Sequence, residues 1–432
     1  MTKHIAIFSI HSDPLARLGG RESGGQNLYV RSLIQELDKR GWTVDAFTRL
    51  NDGDKYHIAH VGKRSRVIRL RGGPLHHIPK SKLHPFFPVL WQDFLYFLEE
   101  NHSGKNPYAL FHGHHYDGGW MALQAHRTFG NPLVMTYHSL GVVRKRTQEK
   151  FLGKSEDEKN FLERLNMERE IAAASSLIIT LGEPEKQDLI AHYDANPSKI
   201  VVVPGGVNTP QFKQISKLKA RDAIRFGNND FLLLFVGRLE WRKGVATLLH
   251  ALRIVAKEIP RVKLVVVGGK IFGKKANGDD MKEYNRLSMI ADKIGVADRV
   301  RFTGAISHGY LPKFYSAADI LIIPSYYEPF GLVALEGLCA GTPVIASRTG
   351  GLMTTIQDGI NGLLFEPRNP PDLAEKILTL YRSPQIAAAL ALRGQSDIKR
   401  YSWSRISEEI AYIYESLINS NARVEDRTGV AI

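Results

Sequence analysis

Short β-branched runs alternate with helix-length segments along this chain, and the alternation starts twice. In the first series, His4–Ile10 predicts a strand, about Gly24 to Arg40 a helix, and Thr43–Thr48 the next strand. Val30, Leu33, Ile34 and Leu37 give that helix one apolar face, and Gly41 ends it. Leu110–His112, Leu133–Tyr137, Leu177–Thr180 and Ile200–Val203 continue the strands. In the second series, Phe231–Val236, Val262–Val267, Val300–Phe302, Ile320–Ile323 and Pro343–Ala346 predict strands, with helices at Lys243–Lys257 and Met281–Ile294. A strand reached through a crossover helix pairs in parallel with the one before it. Two doubly wound α/β domains are therefore expected. Pro204-Gly205-Gly206-Val207-Asn208-Thr209-Pro210 is rich in breakers and predicts the linker, dividing residues 1–207 from 208–402. A last helix, about Trp403 to Ile418, follows the second sheet, and the tail after Asn419 is expected to fray.

The length of 432 residues suits two domains, and 43% apolar with 24% charged residues excludes disorder as the whole story. No apolar run approaches the roughly 18 residues of a membrane helix. His4 to Ile10 is too short for a signal peptide, and the one cysteine, Cys339, cannot form an internal disulfide. A cytoplasmic protein is expected. The formal charge is +14, from 58 basic and 44 acidic residues, which points to an anionic partner. Lys55 to Gln92 holds no acid. That stretch reads as a solvated basic face, with one or two cations left to reach a phosphate.

Ligands of open parallel sheets bind beyond the carboxyl ends of the strands, so a cleft between two such domains is the expected site. Ser23-Gly24-Gly25-Gln26 sits between the first strand and helix, where backbone N–H groups can approach an anion. It lacks the dinucleotide G-x-G-x-x-G spacing, and Gly19-Gly20-Arg21 does not supply it. Gly237-Arg238-Leu239-Glu240-Trp241-Arg242-Lys243-Gly244 follows a strand and opens a helix. It reads either as a charged loop or as a diphosphate site served by Arg238 and Lys243. In Pro324–Glu336, Pro329 keeps Glu328 extended and Gly331 opens a helix that carries Glu336. Leu332, Val333, Leu335, Leu338 and Cys339 make that helix otherwise apolar, so two merely solvated glutamates fit it poorly. Carboxylates suit sugar hydroxyls, and cations with a helix N-terminus suit a diphosphate; a nucleotide-sugar offers both.

Glu328 and Glu336 with seven residues between them, the Gly237–Gly244 segment and Thr349-Gly350-Gly351 resemble the retaining GT-B glycosyltransferases of the sucrose synthase group. The resemblance covers essentially the whole chain. It implies two Rossmann-like domains facing a cleft, with the final helix, about 403–432, packed back on the N-terminal domain. It implies that Glu328 contacts the transferred sugar, Glu336 the ribose, and Arg238 with Lys243 the diphosphate. Gly25, Phe330, Gly331 and Leu332 complete the donor positions. Glu22–Gln26, His112-Gly113-His114, Tyr137–Gly141, Arg164–Glu168 and Lys80–Pro85 resemble sucrose-phosphate synthase in particular. Carried over, its acceptor positions fall on Gly25, Gln26, Lys80, His115, Ser139, Arg144 and Arg164. His115 departs from the usual tyrosine there and Arg144 from the usual lysine. His138 follows a strand and matches the histidine that hydrogen-bonds the donor hexose. His11 to Gly25 also resembles the inositol-phosphate N-acetylglucosaminyltransferase of mycothiol synthesis, whose acceptor is likewise phosphorylated.

The expected reaction moves glucose from an NDP-glucose, most simply UDP-glucose, to fructose 6-phosphate; inositol phosphate, free fructose and an anionic lipid are the other acceptors. A non-enzymatic nucleic-acid binder is the third reading. No nucleic-acid motif is present and the two glutamates speak against that partner; a lipid acceptor would explain the basic stretch, but no strongly amphipathic, Trp-rich anchoring helix is present. No carboxylate pair is placed for double displacement, which favours front-face transfer. No cofactor is required; magnesium is compatible without being essential. His112, His114 and His115 read as cleft lining rather than a zinc site, His76-His77 as surface, Asp52-Gly53-Asp54 as a turn, and Cys339 as a small buried residue. No phosphatase-like module is present, so a separate phosphatase is expected to act on the product. Hinge closure about the linker and the segment before Trp403 is expected on ligand binding.

Overall fold

Sequence alternation becomes two parallel sheets in the computed structural model, which describes residues 3–16, 24–53, 57–153, 158–272 and 278–428. The chain divides into two compact units, Met1–Pro204 with Trp403–Ile432, and Gly205–Ser402. The division falls at Pro204, three residues before the expected boundary and inside the breaker-rich stretch.

The first unit holds eight strands: β1 His4–Phe8, β2 Thr43–Arg49, β3 Ile58–Val61, β4 Ser65–Leu70, β5 Phe111–His114, β6 Leu133–Thr136, β7 Leu177–Thr180 and β8 Ile200–Val202. Their order is β3-β4-β2-β1-β5-β6-β7-β8, and all pair in parallel except β3 with β4. Ile5 faces Val44 and Ile7 faces Ala46, so β1 lies at the centre with its side chains buried on both faces. Phe8, Phe47, Phe94 and Phe111 fill one side as a set of ring contacts.

β3 and β4 leave Lys63, Arg64 and Arg71 on the expected solvated face but take Arg66 and Arg69 out of it. Arg66 Nε and Nη2 donate to the two oxygens of Asp45 at 2.7 and 3.0 Å, and Arg69 Nε donates to Asp13 at 3.0 Å. Arg69 is buried, and Asp45 and Asp13 are fully enclosed. These acids lie outside the stretch itself, so the local charge run concealed paired positions. His76 is exposed and His77 half-buried, and Asp52-Gly53 falls in the turn after β2; Asp54 lies outside the described residues.

The last helix, Trp403–Thr428, belongs to this first unit. Tyr414 Oη lies 2.6 Å from His112 Nδ1, its ring packs edge-on against Trp42, and Arg40 Nη2 donates to the Ser404 carbonyl at 2.6 Å. The helix runs past the expected frayed end at Asn419, since no glycine or proline interrupts it before Gly429.

The second unit holds β9 Phe231–Val236, β10 Val262–Val267, β11 Val300–Gly304, β12 Ile320–Ile323, β13 Val344–Ser347 and β14 Leu363–Phe365. The order β11-β10-β9-β12-β13-β14 is parallel throughout. β14, only three residues long, is an addition to the expected strands. The order reverses between β9 and β12, the switch point at which such sheets bind ligands, and the two richest motifs leave these two strands. No helix among the described residues is long and apolar enough to cross a membrane.

Candidate functional site

The two motif loops of the second unit are tied to each other. After β9, residues Trp241–Lys243 form a 3-10 turn, and the helix expected from Lys243 begins only at Val245. Gly244 intervenes with φ +70°. A Cβ on Gly244 would lie 1.8 Å from the Pro324 carbonyl oxygen, so only glycine lets this turn press against the loop after β12. Tyr326 N–H donates to the Arg242 carbonyl at 2.7 Å, and Tyr326 Oη meets Thr247 Oγ1 at 2.9 Å. Gly244→Ala should lower the unfolding free energy of this unit by at least about 2 kcal/mol, the sum of left-handed strain and overpacking. Urea denaturation followed by circular dichroism checks this; an unchanged midpoint would contradict the contact.

This contact brings Lys243 Nζ to within 2.5 Å of Glu328 Oε2, with both side chains buried to about the same degree. Burial depresses the Lys243 ammonium, against the pull of Glu328. Burial also raises the Glu328 carboxyl, but Lys243 and Arg242 more than offset it and hold it below the ordinary range. Arg238 Nη1 pairs with Glu240 Oε1 at 2.6 Å, and Arg242 Nε with Glu240 Oε2 at 2.7 Å. Burial raises Glu240, yet the charges of Arg242 and Arg238 pull it down to about 2. Both expected diphosphate cations are thus present at strand ends, and each is balanced by a carboxylate.

Glu336 is buried inside helix Leu332–Cys339, where it accepts from Tyr315 Oη at 2.5 Å and lies 2.9 Å from His308 Nε2. Gly331 caps that helix at φ +89°. The first N–H groups of such a helix lack intrahelical partners. Leu332 is half-buried, while the Phe330 ring is buried close to Gly205, which leaves Phe330 its backbone rather than its ring to offer. Gly351 N–H donates to the Glu328 carbonyl at 2.9 Å. A Cβ on Gly350 would lie 2.4 Å from that oxygen, which explains the glycine pair of Thr349-Gly350-Gly351. Sequence reasoning missed Glu240 as the balancing acid, and Tyr315 and His308 as the groups that orient Glu336. Glu240 stood in view between two arginines; the other two carry no local signal.

In the first unit, Lys80, Arg144 and Arg164 line one pocket together with Ser81, Tyr116 and Glu163. Arg164 is buried and largely committed. Its Nε donates to Glu168 Oε1 at 2.7 Å, and its Nη2 donates to the Ser139 carbonyl at 2.8 Å and Oγ at 3.4 Å. Its guanidinium stacks 5.0 Å from the Tyr116 ring. Glu168 is fully enclosed and also accepts from Tyr193 Oη at 2.7 Å. Arg164 therefore braces Ser139, which is not itself among the residues lining the pocket, as much as it offers charge. Gln26 Nε2 is 3.2 Å from Ser9 Oγ, and Gly25 is exposed at the start of the first helix, Gly25–Lys39. Glu22 and Ser23 lie outside the described residues.

The histidines correct the cleft-lining reading. His112, His114 and His115 are all at most 1% exposed. His112 bridges Tyr414 Oη and Thr136 Oγ1, at 2.6 and 3.0 Å. His115 is not among the residues lining the pocket. It sits at φ +63° with Nδ1 3.2 Å from Asp117, whose other oxygen is 2.6 Å from His11 Nδ1. His11, His115 and Asp117 are the one described group whose donor atoms are close enough to share a metal ion. Those contacts account for the cluster as a hydrogen-bonded network.

His138 follows β6 at φ +57°, a left-handed conformation rare outside glycine. Its Nε2 is 2.8 Å from His114 Nδ1, and its ring meets Tyr29 edge-on. Burial first, then the nearby charge of His11, pushes His138 down to about 3. Burial and the neighbouring His138 bring His112 to about 3 as well. His138 is therefore a neutral imidazole at every physiological pH, able to share a hydrogen bond but not to act as a cation. The ¹³C-edited proton shifts of His138 should not titrate between pH 8 and 5. A titration midpoint near the ordinary imidazole value would overturn its burial-enforced neutrality.

Residues 216–397 match the family described as Glycosyl transferases group 1, and residues 23–211 match Glycosyltransferase Family 4. D-inositol 3-phosphate glycosyltransferase of Corynebacterium jeikeium is 32% identical over 98% of both chains. That of Nocardiopsis dassonvillei is 31% identical over 95% of this chain and 94% of its own. The chain is a group 1 glycosyltransferase. Among solved structures, sucrose-phosphate synthase of Thermosynechococcus elongatus matches this glycosyltransferase with a TM-score of 0.87 and 32% identity, over 96% of this chain and 99% of the other. Anabaena HepE, in complex with UDP and glucose, shares the fold at a TM-score of 0.73 and 22% identity over 96% and 99%. The glycosyltransferase thus has the GT-B pair of parallel-sheet domains and transfers a sugar from a nucleotide-sugar.

Proposed function

We propose that this glycosyltransferase moves glucose, with retention, from UDP-glucose to fructose 6-phosphate, forming sucrose 6-phosphate. The observation that carries this reading is the pocket lined by Lys80, Arg144 and Arg164, whose three cations exceed the two carboxylates beside them, Glu163 and Glu168, and so suit a phosphate. The resemblance to sucrose-phosphate synthase over nearly the whole chain supports it. In this reading Arg238 and Lys243 receive the diphosphate, Glu336 the ribose hydroxyls, and Glu328 the hexose. The N–H groups of Phe330, Gly331 and Leu332 serve the donor, and the neutral His138 hydrogen-bonds the transferred sugar. Catalysis then rests on positioning and on stabilising the leaving diphosphate, one oxygen of which takes the acceptor's proton.

The curated relatives favour a second acceptor, an inositol phosphate, which the same cationic pocket would hold. Nucleotide release measured across UDP-glucose, ADP-glucose and UDP-N-acetylglucosamine with fructose 6-phosphate, fructose and inositol 3-phosphate separates the two. Turnover with fructose 6-phosphate and a glucosyl donor is expected. Turnover confined to inositol 3-phosphate would replace the acceptor while keeping the phosphate pocket.

A further inference from the structure

A second cavity, open to solvent, lies wholly within the C-terminal unit, apart from the residues assigned to donor and acceptor. It has a volume of about 720 Å³, and its lining includes Lys213, Gln214, Cys339, Gln395 and Lys399. That size suits a small organic ligand. No acid lines it. Neither Lys213 nor Lys399 forms an ion pair or side-chain hydrogen bond with any described residue, whereas most cations at the donor motif are matched by carboxylates. Gln395 Nε2 donates to Gln214 Oε1 at 3.0 Å, which leaves the Gln214 amide N–H groups and the second Gln395 N–H to meet hydroxyl or phosphoryl oxygens.

Besides Cys339, the walls come from two segments distant in sequence. One enters the unit at Gly205 and the other leaves it at Ser402. They are joined by a Val207–Ser402 bridge and by Val207 N–H donating to the Tyr401 carbonyl at 2.8 Å. Helix Leu332–Cys339 ends at the cavity, and a helix carboxyl end disfavours an anion. The two lysines, with full charges, outweigh that partial charge.

We propose that this cavity is a binding site for a small phosphate ester, held by Lys213 and Lys399 with Gln214 and Gln395. The site is separate from the donor and acceptor positions and requires no particular acceptor sugar.

Cys339 lines the cavity and is the chain's one cysteine, so its reaction reports on this site alone. The probe is glycerol 3-phosphate, added to the full chain with UDP saturating the donor positions. The rate of Cys339 alkylation by iodoacetamide, followed by intact mass, should fall saturably. At ten times the dissociation constant it should fall about tenfold. Protection should vanish in Lys213→Gln/Lys399→Gln, whose turnover should match the parent, and should persist in Arg144→Ala. Absence of protection, its persistence in the lysine double variant, or its loss in Arg144→Ala would each overturn the proposal. Calorimetry supplies a reading free of thiol chemistry. Arg144→Ala with UDP should bind one equivalent of glycerol 3-phosphate, and none once Lys213 and Lys399 are also changed to glutamine. No binding to Arg144→Ala would reject the site. Inorganic phosphate run in parallel separates the ester from the bare anion: equal or tighter binding of phosphate would reject the ester class.

Discussion

Lys243→Ala should lower turnover by about 10²-fold or more, because it removes a cation assigned to the charge that develops on the leaving diphosphate. The structure adds a second consequence. Glu328 would keep its largely enclosed carboxylate and lose the ammonium 2.5 Å away. Breaking a fully buried pair from one side costs about 3–5 kcal/mol, which is the upper bound here. Lost activity alone would therefore not separate chemistry from folding. Lys243→Met combined with Glu328→Gln removes both charges and retains similar volume. That double variant should recover thermal stability relative to Lys243→Ala and stay inactive. Wild-type turnover in Lys243→Ala with every nucleotide-sugar would remove Lys243 from the donor site. Recovered turnover in the double variant would reduce the pair to a structural one.

Fructose 6-phosphate should be strongly preferred over fructose, and Arg144→Ala should erase most of that preference. A phosphate held by an arginine and a lysine gains charge-assisted hydrogen bonds that a neutral hydroxyl does not replace. Losing one such partner in a desolvated site costs roughly 2–5 kcal/mol. The ratio of kcat/KM for the two acceptors is the measurement. Arg164 matches the family's phosphate position equally well, but the structure makes it a poor probe. Its Nε and Nη2 already hold Glu168 and Ser139, and Glu168 is fully enclosed. Arg164→Ala should destabilise the N-terminal unit, so Arg144→Ala is the variant that reads the acceptor. Equal kcat/KM for fructose and fructose 6-phosphate in the parent enzyme would reject the phosphate pocket.

The fold was legible because helix and strand periods differ and the chain keeps them apart. Phe231–Val236, Val262–Val267, Ile320–Ile323 and Leu177–Thr180 match their observed strands end for end. β4 was hidden by Arg66 and Arg69, which broke the apolar pattern; their partners Asp45 and Asp13 lie outside the local window. The donor motifs were visible because sites of parallel sheets cluster where strands end. Gly244, Gly331 and Gly350 were visible as glycines, though not which oxygen or side chain each one clears.

Sequence alone determined two parallel α/β units, where each loop with chemistry begins, and which residue types those loops carry. These are local properties, set by hydrophobic period and backbone chemistry within a few turns of chain. Only the tertiary structure decided which charge meets which. Lys243 and Glu328 are 85 residues apart and meet because β9 and β12 are neighbours in the sheet. Tyr414 reaches His112 across 302 residues because the final helix returns to the first unit. His115 and Arg164 had the residue types of acceptor contacts, yet burial tied one to Asp117 and the other to Glu168. A buried polar group takes the partner that packing brings to it, and packing is a property of the assembled sheets rather than of any one segment.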